Sequence, residues 1–324
     1  MVIEEKKLKM MSSIGMRASF GLNCLELIKD HSDLIVLTSD VSTSAGLDRF
    51  RKQYPKNFID VGISEQNLIG VATGLATENF KVITTTFAPF QTLRCCEQIK
   101  VNLGYMKSKV LMVGLASGLI LGNLGFSHCS IEEIGVLRSI PNLKIVTPAD
   151  ALELKKVLEY FLNYGDQSMY LRLTGGSNIE QIYSEDYDFT IGKAITLRQG
   201  KDICFFSCGA ILKNVIKASN ILEEKYKITS KIINMHTIKP IDRDVILKNK
   251  NFKLHVCVEE HNTIGGLASA ISEVKCQEGV FVKQVNLGVN DEYTKSGSYD
   301  YLLDHYNLSP EKIVQTIMKK LNND

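Results

Sequence analysis

With 324 residues, the chain has the length of two domains of about 150 residues each. Hydrophobic residues make up 44% and charged residues 23%, the balance of a globular protein. A net charge of +2 with scattered Lys and Arg gives no sign of binding to nucleic acid or an anionic membrane, and apolar runs such as VLMVGLASGLILG (110–122) are too interrupted and short to span a bilayer.

The opening residues, MVIEEKKLKMMSSIGM, carry charges without an apolar core or cleavage site, so no secretory signal is expected there. The eight cysteines, at 24, 95, 96, 129, 204, 208, 257 and 276, form no CxxC pair and flank no histidine cluster. They read as reduced structural thiols of a cytoplasmic protein, and no metal site is expected among them. Cys204 and Cys208 point the same way along a buried strand by period-2 alternation.

In chain order, an amphipathic stretch at 17–30 precedes the β-branched run LIVLTSD (34–40). The residues before Glu65 read as a strand end and 65–78 as a helix. KVITTTF (81–87), a helical stretch at 89–103, KVLMVGL (109–115), a helical stretch at 130–139, LKIVTP (143–148), a helix at 149–164 and MYLRL (169–173) follow. This alternation predicts βα units on a mostly parallel, doubly covered sheet. TGGSNIEQIYSEDYDFTIGK (174–193) breaks the rhythm, and a linker is placed at 177–192.

The rhythm then restarts with DICFFSCGA, a helix over 211–226, SKIINMHT, a short helix near 242–249, KLHVCVEEH, a helix from 266 and VKQVNLGV. A last helix follows Ser309-Pro310, serine as cap and proline in the first turn. The fold class expected is α/β: two doubly wound α/β domains, residues 1–176 and a smaller one at 193–324.

Four segments fall where strands give way to loops or helices, the usual place for ligands in an open α/β sheet. They are SDVSTS (39–44), GISEQN (62–67), TTTFAPF (84–90) and the glycine-bearing loop LGNLGFSHCSIEE (121–133) with His128. Glu65 begins an apolar helix. Such an acid serves either as a helix cap, favoured by the dipole, or as a buried group for proton chemistry. Singly, TTTFAPF reads as a strand end with core aromatics and His128 as a hydrogen-bonded loop residue.

Taken in order, these segments resemble the C-terminal half of transketolase, in the form of the separate subunit found where the enzyme is split into two chains. GISEQN is similar to the family's catalytic-glutamate segment, TFAPF to its aromatic pocket, and LGFSHCSIEEIGVLRSIPNLKIVTPAD to its substrate-histidine loop and the strand and helix after it. EEHNTIGGLASAISE (259–273) and HTIKPID (236–242) resemble signatures of its C-terminal domain. The resemblance covers almost the whole chain: a thiamine-diphosphate pyrimidine-binding domain, then a transketolase C-terminal-like domain.

It implies thiamine diphosphate as cofactor and transfer of a two-carbon ketol unit from a ketose, phosphorylated by this reading, to an aldose. Glu65 and His128 are the implied catalytic residues. Asp40, Glu65, Phe87 and Phe90 are the implied cofactor contacts. Glu65 would bond the aminopyrimidine ring nitrogen, a carboxyl in apolar surroundings being well suited to share a proton there. Phe87 and Phe90 would give the pyrimidine its stacking face, worth about 0.5–1.5 kcal/mol beyond area burial. Arg17, Ser44 and Arg172 match positions that hold the sugar phosphate, arginine pairing bidentately with phosphate oxygens.

Three positions depart from the family pattern. Leu93 stands where a tyrosine is frequent, Leu124-Gly125 replaces Asp-Gly before the histidine, and Ala116 takes the place of an upstream histidine. Losing hydrogen-bonding partners changes which hydroxyl pattern a pocket accepts, so the sugar is left open. The chain also has no GDG segment for the diphosphate and its magnesium. An N-terminal subunit carrying that motif is therefore the implied partner, in a two-plus-two assembly with each cofactor at a subunit interface. Two alternatives stand beside this reading: the beta subunit of a 2-oxo-acid dehydrogenase decarboxylase component, and a non-catalytic pairing subunit.

Overall fold

A computed structural model describes residues 5–322 apart from Asn178 and Ser184, with the backbone alone for residues 5–9. Its first half comprises α1 (Glu5–Leu27), β1 (Leu34–Thr38), α2 (Asp48–Gln53), β2 (Phe58–Asp60), α3 (Glu65–Thr77), β3 (Lys81–Phe87), α4 (Ala88–Gln91), α5 (Cys96–Gln98), β4 (Val110–Leu115), α6 (Glu133–Arg138), β5 (Leu143–Val146), α7 (Ala151–Tyr164) and β6 (Ser168–Arg172). The second half comprises β7 (Ile195–Arg198), β8 (Ile203–Ser207), α8 (Leu212–Tyr226), β9 (Ser230–Asn234), β10 (Thr237–Lys239), α9 (Arg243–Lys248), β11 (Leu254–Asn262), α10 (Leu267–Gln277), β12 (Lys283–Val289), α11 (Tyr299–His305) and α12 (Pro310–Asn322). None of the described helices is long and apolar enough to cross a membrane.

Two mixed α/β sheets organise these elements. The first runs β10-β5-β6-β4-β3-β1-β2, parallel except for β10, which is antiparallel to β5. The second runs β12-β11-β8-β9-β7, parallel except for β7. Alternate residues of β1 face opposite layers. Ile35 and Leu37 join a core with α3, while Leu34 and Val36 join one with Met16 and Phe20 of α1. Burial on both faces is what allows parallel strands to read as continuous apolar runs.

The expected elements differ from the observed ones in three places. The stretch at 89–103 is not one helix. It divides into α4, a 3₁₀ turn at Leu93–Cys95, α5 and a π-helical turn at Ile99–Tyr105. Thr92 Oγ1 donates to Ala88 O at 2.6 Å and Cys95 Sγ to Phe90 O at 3.2 Å, so side chains compete for the carbonyls a regular helix would use. The helix expected over 130–139 is confined to Glu133–Arg138, because Ser130 and Ile131 bond to residues outside it. β10, from a segment placed within the second domain, completes the edge of the first sheet.

The segment 177–192 has no helix or strand among its described residues, yet it is fastened along α7. Asp150 Oδ2 accepts from the backbone N–H groups of Ile182 and Tyr183, each at 2.9 Å, and Glu153 Oε1 accepts from the hydroxyls of Tyr183 and Tyr187 at 3.2 and 2.7 Å. The core of the first sheet continues into the second half: Ile145 and Tyr170 share one apolar cluster with Phe206, Cys257 and Ile271. Cys204 and Cys208 lie in that same cluster.

Candidate active site

Parallel pairing brings the carboxyl ends of β1, β2, β3 and β4 to one edge of the first sheet. There Asp60 Oδ1 accepts from Asp40 N at 3.0 Å and Gly62 N at 2.9 Å, and Ser39 Oγ accepts from Ser64 N at 3.0 Å. These bonds lay the turn at 61–64 against residues 39 and 40. Asp40 itself takes a left-handed conformation with φ 55° and leaves its carboxylate exposed.

Glu65 follows that turn as the first residue of α3 and is only 5% exposed. Both carboxylate oxygens lie 2.8 Å from Arg94 Nη1, which donates to them. The surroundings are therefore not purely apolar, which corrects the expectation: a guanidinium 2.8 Å away pairs the acid. Arg94 in turn lies over the Phe90 ring with Cζ 4.1 Å from its centroid. Gln66 Nε2 donates to Arg94 O at 3.2 Å and ties the two segments together.

The aromatic residues complete the cluster. Phe87 and Phe90 pack edge-to-face with centroids 6.4 Å apart, and the half-buried His128 ring lies 5.3 Å from Phe90 and 6.2 Å from Phe87. His128 Nδ1 is 3.2 Å from Ser127 Oγ. A buried carboxylate, two phenyl rings and an imidazole thus converge from three separated segments. Such a constellation can receive a flat heterocycle on its rings while a polar edge meets the acid. Leu93 and Leu124 are exposed nearby in sequence, and Ala116 is buried with φ 51°.

Arg17 and Ser44 come from elements in close contact. A Cβ on Gly21 of α1 would lie 2.0 Å from Gly46 O, and one on Gly46 would lie 3.1 Å from Arg17 O. Both Arg17 and Ser44 are half-buried, and burial lowers the guanidinium pKa of Arg17.

Arg172 departs from the expectation and is corrected. It is 1% exposed; its Nε donates to Glu133 Oε1 at 2.5 Å, and its Nη2 donates to Ser130 O and Glu260 O at 3.1 and 2.7 Å. A guanidinium desolvated and bonded in this way is an internal tie and is not free to clamp a phosphate. Desolvation is the largest single influence on its pKa and lowers it, but the Glu133 carboxylate beside it helps raise it above the usual arginine range. Around it, His261 Nε2 stands 3.9 Å from Glu133 Oε2, and Tyr299 Oη donates to Glu260 Oε1 at 2.6 Å.

Sequence reasoning missed Arg94 and this buried network. The signal for Arg94 was present as a cation shortly past the aromatic segment, on the turn facing an acid. The network had no local signal, because its members come from β6, α6, β11 and α11.

Residues 12–177 match the family model described as transketolase, pyrimidine binding domain, and residues 192–313 match the transketolase C-terminal domain. Two α/β domains of these kinds, with the ring-and-carboxylate cluster at the strand ends of the first, define the class. The chain belongs to the transketolase family. It is 33% identical over 308 residues to one of the subunits of the apulose-4-phosphate transketolase of Phocaeicola vulgatus, covering 94% of this chain and 97% of that one. It is 32% identical over 292 residues to the 6-deoxy-6-sulfo-D-fructose transketolase subunit SqwH of a Clostridium species, covering 90% of this chain and 89% of that one. A solved split-gene transketolase, described as an inactive beta4 tetramer, superposes with a TM-score of 0.86 at 31% identity over 94% of this chain and 98% of that one.

Proposed function

We propose that this chain is the C-terminal subunit of a two-chain transketolase, active with an N-terminal subunit that carries the GDG segment and holds magnesium. The convergence of Glu65, Phe87, Phe90 and His128 carries the reading. These residues fit the pyrimidine end of thiamine diphosphate: rings for its faces and a buried acid for its ring nitrogen. When bound, the cofactor would supply an acidic thiazolium carbon as the nucleophile toward a ketose carbonyl.

Glu65 would meet the pyrimidine ring nitrogen with its carboxyl group. Its pairing with Arg94 leaves room for this, since one Nη1 is shared between two oxygens and a carboxylate has about four lone-pair sites. Phe87 and Phe90 orient the ring and exclude water from one side of the acid. Asp40 borders the same edge. His128, set against both phenyl rings, faces the donor's hydroxyl or carbonyl. Arg17 and Ser44 hold an anionic tail of the sugar; Arg172 has no part in that clamp.

The relatives named for apulose-4-phosphate and 6-deoxy-6-sulfo-D-fructose support a donor with an anionic group. The split-gene neighbour, described as inactive as a beta4 tetramer, supports self-association and a need for the second chain. The test is ketol transfer by the mixed subunits against a panel of ketose phosphates and aldehydes. Glu65→Gln should fold and assemble but lose about 100-fold or more in kcat. Normal turnover by that variant would leave a non-catalytic pairing role instead.

A further inference from the structure

The loop that carries His128, residues 119–130, belongs by chain order to the first domain, between β4 and α6. By packing it belongs to the second. Leu119 and Ile131, at its two ends, share one buried apolar cluster with Phe205, Val258 and Val289 of β8, β11 and β12. The loop is closed at its base by a two-bond bridge: Gly118 N donates to Ser130 O at 2.9 Å and Ser130 N to Gly118 O at 3.1 Å.

The second domain fastens this bridge and the loop beyond it. From β11, Asn262 N donates to Ile131 O at 2.7 Å, and Glu260 O shares with Ser130 O a single donor, Arg172 Nη2 of β6 in the first domain. The Glu260 carboxylate reaches the loop base itself: its Oε2 accepts from Leu119 N at 3.5 Å while its Oε1 accepts from the Tyr299 hydroxyl at 2.6 Å. Nearer the histidine, Gly297 N donates to Gly122 O at 3.1 Å, and the Tyr293 ring lies 5.2 Å from Phe126. The approach is close enough that a Cβ on Gly122 would sit 2.0 Å from Leu302 Cδ1.

We infer that the C-terminal domain sets the position of His128, with Tyr293 and Tyr299 as positioning residues that hold its loop from across the domain boundary. The inference rests on the reading of His128 as the substrate-side group. A loop is mobile unless its backbone is tied down. Here most of the ties come from β11 or from residues 290–302. Movement of that segment therefore changes substrate handling at His128, whose ring packs against Phe87 and Phe90, and leaves the Glu65–Arg94 pair in place.

Two mild variants test it. Tyr293→Ala removes an exposed ring, and Tyr299→Phe removes one hydroxyl. On the full chain, hydrogen–deuterium exchange should rise at residues 121–129 and stay unchanged in α3 and β3. In the two-subunit complex, each variant should lose about tenfold in kcat/KM for the ketose at unaltered cofactor affinity. In a His128→Asn background, Tyr293→Ala should cost nothing further. Unchanged exchange at 121–129, or the same loss repeated in the His128→Asn background, overturns the proposal. Absence of ketol transfer by the wild-type complex overturns the functional reading instead, and the exchange measurement still decides whether the loop is held.

Discussion

Arg94 and Glu65 show how one neighbour changes the character of a buried acid. The Glu65 side chain is nearly fully enclosed while Arg94 is half in solvent, so the acid depends on the arginine more than the reverse. Arg94→Met should cost about 1–3 kcal/mol, because it leaves a buried acceptor without its charged donor. Adding Glu65→Gln should restore part of that loss, and urea unfolding of the two single variants and the double variant measures the coupling. His255 offers a second residue-level test. Burial lowers its pKa from 6.5 to about 4, with the ring edge against Phe206 and Nε2 2.9 Å from Asn249 O. Between those values the unfolded imidazole binds a proton that the folded one rejects, so its stabilisation is complete above about pH 6.5 and is lost as pH falls toward 4. The loss amounts to roughly 2–3 kcal/mol, and His255→Gln should flatten it in denaturation midpoints taken at about pH 7.5 and about pH 5.

The elements were legible in proportion to their burial. β1, β3, β4, β6, β8 and β11 are buried along nearly their whole length and announce themselves as apolar runs. β7 and β10 are short sheet-edge strands, four and three residues long, with too few side chains to show a period. Of the candidate site, residue types were readable and environments were not. GISEQN and TTTFAPF expose Glu65, Phe87 and Phe90 as motif members, but nothing local to MYLRL says that Arg172 meets Glu133 rather than solvent. Packing between elements also yields a test of the Arg17 region. Gly21→Ala places a methyl carbon 2.0 Å from Gly46 O, so α1 must move from the 41–47 turn. The expected cost is about 1–3 kcal/mol by thermal unfolding, with a raised KM for a phosphorylated ketose if Arg17 and Ser44 hold its phosphate.

At the scale of the molecule, the two halves are not separable bodies. They share an apolar cluster, the Arg172 bonds, and a strand: β10 is drawn from the second half into the sheet of the first. A chain ended after residue 192 should therefore expose Leu119, Ile131 and the edge of β5, and should run as aggregate on size-exclusion chromatography; a monomeric, cooperatively folded fragment would refute this. The same strand has a consequence for synthesis on the ribosome. Translation delivers β1 through β6 well before Thr237–Lys239 exists, so a nascent first sheet waits with β5 uncovered. Translational pausing before residue 239 prolongs the interval in which neighbouring nascent chains can pair with that edge, and pausing after it does not.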